Sequence, residues 1–433
     1  MTKEPEREVE LEQKILESCD KLFPDVLDFT EEMVKQYSVL NQEQGVLEVV
    51  ERQLSDLNLS PIRVPIDVER LGSHPMFAPV PWGYDHKYNL VSVLNPGASG
   101  KSLVFNGHLD VVPATPFEMW TQRANEPWRD SEWLYGRGSG DMQSGVAAMI
   151  YAVQAVREAG AEIRSPLTIQ TVVEEECTGN GALACVERGY GGDFVLIPEP
   201  FGPTIYSGQL GVMWFKVLCQ GTPVHVQDTS AGEDAIERLL LLIPALKDLE
   251  AELNEHHRVP PYDQMEHPFN LNVGKISGGD WASSVPAHAE FEARLSFPPG
   301  VTASQFMQMV SDRIESEPYT AASRHAVFAK QRPVVRFEGF RSEGHLIDVK
   351  QPGIRMLESC HRDLTSQDAV HYLSTCTTDL RAFHFYNRTG GTCYGPVARN
   401  IHGVDESVNM ESVRQTLKTY ALFISRWCEI SPA

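Results

Sequence analysis

The sequence predicts an α/β protein whose principal domain holds a mixed, mostly parallel sheet flanked by helices, interrupted by a ferredoxin-like α+β insert. Two observations carry that prediction. Short β-branched runs alternate with helical stretches over the first 210 residues, the pattern of a sheet covered on both faces. From 211 to 337 the order becomes strand, helix, strand, strand, helix, strand, which is the split βαβ unit. The chain then returns to helix and strand, so the principal domain is discontinuous, with 1–210 and 341–433 enclosing 211–340.

The elements follow in order. Apolar residues recur at helical spacing over 8–39, and 41–57 reads as a second helix. A strand is expected over 63–68, and the Pro- and Gly-rich stretch 73–84 reads as a loop. Strands over 88–94 and 102–106 precede a helix over 142–158. The run 167–173 is a strand, 181–188 a helix and 193–197 a strand. In the insert, strands are expected over 211–219, 269–276, 287–297 and 326–337, with helices over 233–255 and 303–316.

Composition narrows the function. With 37 Lys and Arg against 59 Asp and Glu, the formal net charge is −22, which repels phosphate backbones and argues against nucleic acid as a partner. No run approaches 18 apolar residues, so no transmembrane helix is expected, and the charged amino terminus lacks the apolar core of a signal peptide. The eight cysteines form no CxxC pair and fit reduced thiols in a cytoplasmic protein.

One set of polar residues stands out. His108 and Asp110 lie in FNGHLDVVP, Asp141 in YGRGSGDMQSG, Glu174, Glu175 and Glu176 in TVVEEECTGNGA, Glu199 in VLIPEP and His402 in NIHGVDE. Most close an apolar strand-like run, where α/β proteins gather their ligands. Singly, each has an ordinary reading: a strand end at His108, a helix N-cap at Asp141, a solvated helix start at the Glu triplet, loop surface at Glu199 and His402. Together, three carboxylates and two imidazoles suffice for two divalent ions. Mixed imidazole and carboxylate donors suit Zn2+, with Co2+ or Mn2+ as alternatives. Two ions against Asp141, Glu176 and Glu199 leave a net positive site, which would pull the pKa of a water held there toward ~7. Glu175 is placed to take that water's proton, and Asp110 to accept the second N–H of His108.

The strings GHLDVVP, YGRGSGDMQSG, VVEEECTGNGA, PEP, GTPVH and HGVDESV resemble, in order and spacing, the M20 family of metallopeptidases and deacylases. That family includes acetylornithine deacetylase, succinyl-diaminopimelate desuccinylase, aminoacylase-1 and glutamate carboxypeptidase. The resemblance implies that His108 and Glu199 bind one metal, Glu176 and His402 the other, and that Asp141 bridges them. It implies Glu175 as general base and Asp110 as the residue orienting His108; a register shifted by one residue would place the base on Glu174. It further implies that His225, in GTPVH, donates to the oxyanion, often from the partner subunit, and that 211–340 is a lid through which a homodimer forms.

The sequence departs from the family in the lid. Relatives carry an Asn three residues before a Pro and an Arg ten residues after it. Here those positions are Ser283, Pro286 and Ser296. Arg294 shares the strand face of Ser296 and is a candidate substrate contact. Arg381 is another, with an ion pair to Asp379 as its structural alternative. The expected activity is two-metal removal of an acyl group from an N-acyl amino acid or related small amide. The alternatives are a dipeptidase or carboxypeptidase with the same centre, or a metal-binding protein without catalysis.

Overall fold

The structure, a computed structural model, describes residues 4–316 and 332–432. Its central sheet has six strands in the order Ile62–Pro65, Tyr88–Leu94, Leu167–Val172, Leu103–His108, Phe194–Ile197, Gly390–Cys393. The last four run parallel. The first two are antiparallel to their neighbours. The sheet is therefore mixed and mostly parallel, as expected. Every residue of Leu103–His108, Leu167–Val172 and Phe194–Ile197 is buried, which is why these strands read as near-continuous apolar runs.

Helix Ser144–Glu158 is buried along nearly its whole length. It packs between Glu4–Val34 and Met410–Trp427, and Pro352–Thr365 packs on the latter. The amino-terminal helix ends at Val34 rather than 39 because Tyr37 takes a left-handed φ of 44°. Three small sheets among the described residues escaped the sequence reading, the smallest pairing Ala161–Ile163 with Ile430–Pro432. Thr204–Gln209 pairs with His345–Leu346 and Val370–Leu373, and Trp133–Tyr135 pairs with Trp128–Arg129 and Ser407–Asn409. Their strands are two to six residues long, too short to show a period.

A second sheet has its own core. Gly211–Gln220 lies between Val334–Arg336 and His288–Phe297, and Leu271–Gly278 forms the far edge, all antiparallel. That is the strand order of the ferredoxin-like unit. Leu239, Leu246, Leu249, Leu253, Phe306 and Val310 from its helices bury against Phe215, Phe291 and Leu295 of the sheet. The expected helix 233–255 is two helices, Ala235–Leu240 and Leu242–His256. Pro244 lacks the N–H that would continue the first one. Of the expected strand 326–337, residues 326–331 lie outside the described residues.

Candidate metal centre

The carboxyl ends of the parallel strands bring the singled-out residues together. Nε2 of His108, the last residue of its strand, lies 3.1 Å from Asp141 Oδ1. Nε2 of His402 lies 3.4 Å from the other oxygen of the same carboxylate and 2.9 Å from Glu176 Oε1. Two ligand groups result, His108–Asp141–Glu199 and Asp141–Glu176–His402, each with its donor atoms within 4.8 Å of one another. Asp141 belongs to both. A carboxylate that offers one oxygen to each of two donor sets is what a bridged pair of divalent ions requires, and the imidazole–carboxylate set fits zinc-like ions.

Local sequence explains how each ligand is held. Asp141 does not cap the following helix. It sits in a turn with extended backbone, φ −110° and ψ 98°, and the helix begins three residues later. Gly136 and Gly138 give that turn left-handed φ values of 142° and 88°. Glu406 then ties it down: its Oε1 accepts the N–H groups of Gly138, Gly140 and Asp141, each at 3.0 Å, while its Oε2 pairs with Arg137. Arg137 also donates to the Gly403 carbonyl at 3.0 Å, so one buried pair locks the Asp141 and His402 loops to each other. Glu199 is fixed by close backbone approach. A Cβ on Gly395 would lie 2.4 Å from the Glu199 carbonyl oxygen, and one on Gly145 would lie 2.5 Å from that of Pro198.

Asp110 acts differently from the expectation. Nδ1 of His108 is 2.9 Å from the main-chain carbonyl of Asp110 and 3.8 Å from its carboxylate. The carboxylate is taken up by the N–H groups of Glu175 (3.2 Å) and Glu176 (3.1 Å). Asp110 thus orients His108 through its backbone and the acid pair through its side chain.

The Glu triplet separates cleanly. Glu174, at φ 67°, is fully buried and saturated by Trp82 Nε1, Tyr84 OH, Lys87 Nζ and Thr178 Oγ1. A carboxylate so engaged has no lone pair left for a water. Glu175 is buried with Oε1 unpartnered. Burial, and then the charge of Asp379, push its carboxyl well above the usual range. Burial and Asp141 do the same to Glu199. Glu176 raises His402 to about 11, with help from Asp141. Burial pulls His108 down, but the hydrogen bond and charge of Asp141 outweigh it and hold the imidazole well above its ordinary value.

Residues 104–426 match the model of peptidase family M20/M25/M40. The chain belongs to that family. Among its M20 relatives is the N-formyl-4-amino-5-aminomethyl-2-methylpyrimidine deformylase of Bacillus subtilis, 28% identical over 76% of this chain and 79% of the relative. Another is the succinyl-diaminopimelate desuccinylase of Cupriavidus necator, 29% identical over 92% and 98%. The fold matches the di-peptidase Dug1p of Saccharomyces cerevisiae with a TM-score of 0.78 at 14% identity, covering 96% of this chain and 98% of that one. Human carnosine dipeptidase 1 follows with a TM-score of 0.73 at 16% identity over 95% and 98%.

The remaining expected residues of this M20 chain lie outside both ligand groups. His225 is exposed and caps a short helix, its Nδ1 accepting from Gln227 N–H at 3.1 Å. Arg294 reaches from the second sheet to the Thr375 carbonyl, and Ser296 is buried and accepts the Asn270 N–H at 2.9 Å. Arg381 is 2% exposed, held by the Thr178 carbonyl rather than open to a cleft. Lys87, Arg137 and Glu406 were missed. Glu406 and Arg137 stand inside quoted motifs, but a lone charge in a loop reads as solvated, and only the fold reveals their burial.

Proposed function

We propose that this protein removes an acyl group from an N-acyl amino acid or a related small amide, using two divalent ions, most readily Zn2+, with Co2+ or Mn2+ as alternatives. The reading rests chiefly on one observation: Asp141 is shared between two ligand groups while Glu175 Oε1 is buried without a partner. When bound, the two ions supply Lewis acidity to the scissile carbonyl and acidity to a water. The protein's own residues do the rest. Glu175 accepts the water's proton at Oε1 and returns it to the leaving amine nitrogen. Asp110 fixes Glu175 through its backbone N–H. His225, from the partner subunit, donates to the oxyanion. Arg294 contacts the substrate from the second sheet.

The deformylase and the desuccinylase among the relatives both remove acyl groups, as their names say, and both align over three quarters or more of this chain. That favours a deacylase. A dipeptidase with the same centre is the second reading, favoured by the fold neighbours. Segment 211–340 serves as lid and dimerisation domain in this account. Trp281 (73% exposed), Ile276 (55%) and Leu240 (48%) give it uncovered apolar surface for a second copy. Cytoplasmic residence accords with eight free cysteines, seven of them buried, and no helix among the described residues is long and apolar enough to cross a membrane.

The test is turnover on a panel of N-acyl amino acids and dipeptides, with chelated and Zn2+- or Co2+-loaded protein. Metal-dependent hydrolysis favouring acylated amino acids supports the proposal. A preference for dipeptides moves the reading to the peptidase. No hydrolysis of any amide by protein holding two ions per chain overturns both.

A further inference from the structure

Behind Glu175 lies a group of buried polar atoms that the proposed reaction does not use. Arg381 Nη2 donates to the Thr178 carbonyl at 2.8 Å and so grips the turn that carries Glu174 to Gly179. The turn leaves room for this arm, since a Cβ on Gly179 would lie 1.7 Å from Nη2. The guanidinium carbon sits 4.2 Å from the centroid of the Phe340 ring. Phe340 lies between Val334–Arg336 and Arg341–Ser342, both of which pair with Gly211–Gln220 in the second sheet. Its carbonyl accepts the Trp214 N–H at 2.8 Å, and Gly339 donates to the Pro79 carbonyl at 2.9 Å. Arg381 therefore joins three pieces of chain: its own helix, the acid-bearing turn and a connection between two strands of the second sheet.

This arrangement is poorly suited to stability alone. Arg381 Nη1, both oxygens of Asp379 and Glu175 Oε1 are all buried and unpartnered. No hydrogen bond joins Arg381 to Asp379. Buried charge without full pairing is costly, and such groups concentrate where function holds them. Arg381 is also too enclosed, at 2% exposure, to serve as an open carboxylate clamp.

We infer that Arg381 is a positioning residue: it braces the Glu174–Gly179 turn against Phe340 and thereby aims Glu175. The inference rests on the proposed role of Glu175. A misplacement of about 1 Å in a reacting group costs about 100-fold in rate, so a brace of this kind is felt in kcat rather than in substrate binding.

The test uses the metal-loaded enzyme and its best substrate. Arg381→Met is expected to lower kcat about 100-fold with KM changed less than about threefold and two ions per chain retained. Phe340→Leu, which keeps apolar volume but removes the ring face, is expected to lower kcat about tenfold. The double variant should match Arg381→Met alone, because Phe340 acts through Arg381. A raised KM with unchanged kcat would make Arg381 a substrate contact and overturn the inference, as would multiplying losses in the double variant or loss of metal. If Arg381→Met does not fold, Phe340→Leu decides by the same kcat criterion. Wild-type protein inactive on every amide sinks the proposed reaction instead. In that case a crystal structure of Phe340→Leu decides the brace: a displaced Glu174–Gly179 turn supports it, and an unmoved turn overturns it.

Discussion

Glu174 and Glu175 are neighbours in the chain, yet their carboxylates belong to two regions built on opposite principles. Glu174 belongs to a cradle of matched groups, with Lys87, Glu43, Tyr84 and Trp82 around its carboxylate; the Glu406–Arg137 pair that holds the Asp141 turn is built the same way. The carboxylates of Glu174 and Glu406 are matched by donors there. Glu175 belongs to the centre, with Asp141, Glu176, Glu199 and two imidazoles, where acids crowd together and burial pushes the carboxyls of Glu175 and Glu199 up. The comparison teaches how to sort buried acids: a saturated carboxylate holds the scaffold, and an unsaturated one faces an ion, a water or a substrate.

Substitutions can sharpen or break that division. The largest effect is expected in the centre. Glu175→Gln should lower kcat at least about 1,000-fold, the upper part of the range for a lost general base, while thermal unfolding shifts by little. A large melting shift with modest loss of rate would place Glu175 in the cradle instead. Lys87→Met should do the reverse. It strands the charges of Glu43 and Glu174 in the interior, at a cost of about 3–5 kcal/mol, read as a clear fall in melting temperature with metal present. Arg294→Ala, in the second sheet, should raise KM about tenfold for a carboxylate-bearing substrate and leave melting nearly unchanged. The smallest effect belongs to the surface: Arg70→Ala removes a half-exposed pair with Glu187 and should cost less than about 1 kcal/mol.

Much of the centre was legible in the sequence because its candidate ligands sit at the ends of apolar strands, as at His108 and Glu199. The cradle was not. Trp82 and Tyr84 lie in a Pro- and Gly-rich stretch that reads only as loop, and Lys87 lies just beyond it. They reach Glu174 across about 90 residues, a pairing no local period encodes. The same holds for Asp110, whose side chain meets residues 65 and 66 positions away. The alternation of strand and helix did announce the mostly parallel sheet, and the change of pattern after about residue 210 announced the strands of a second one. What it could not announce was the three-residue gap between Asp141 and its helix, or the break that Pro244 imposes.

The central claim is that the unsaturated cluster exists to hold two ions that share Asp141, with protons in their place when the ions are absent. His402, raised to about 11 by Glu176, stabilises the metal-free fold fully below its ordinary pKa of about 6.5, and this contribution is lost as pH rises through about 11. Metal uptake at neutral pH is therefore expected to release protons, and affinity to rise with pH. The deciding measurement is calorimetric titration of chelated protein with Zn2+ in buffers of different ionisation enthalpy, beside Asp141→Asn. The account predicts two ions per chain, release of about two protons or more, and loss of at least one ion in the variant. Two ions bound as tightly by Asp141→Asn, or uptake without proton release, would contradict it.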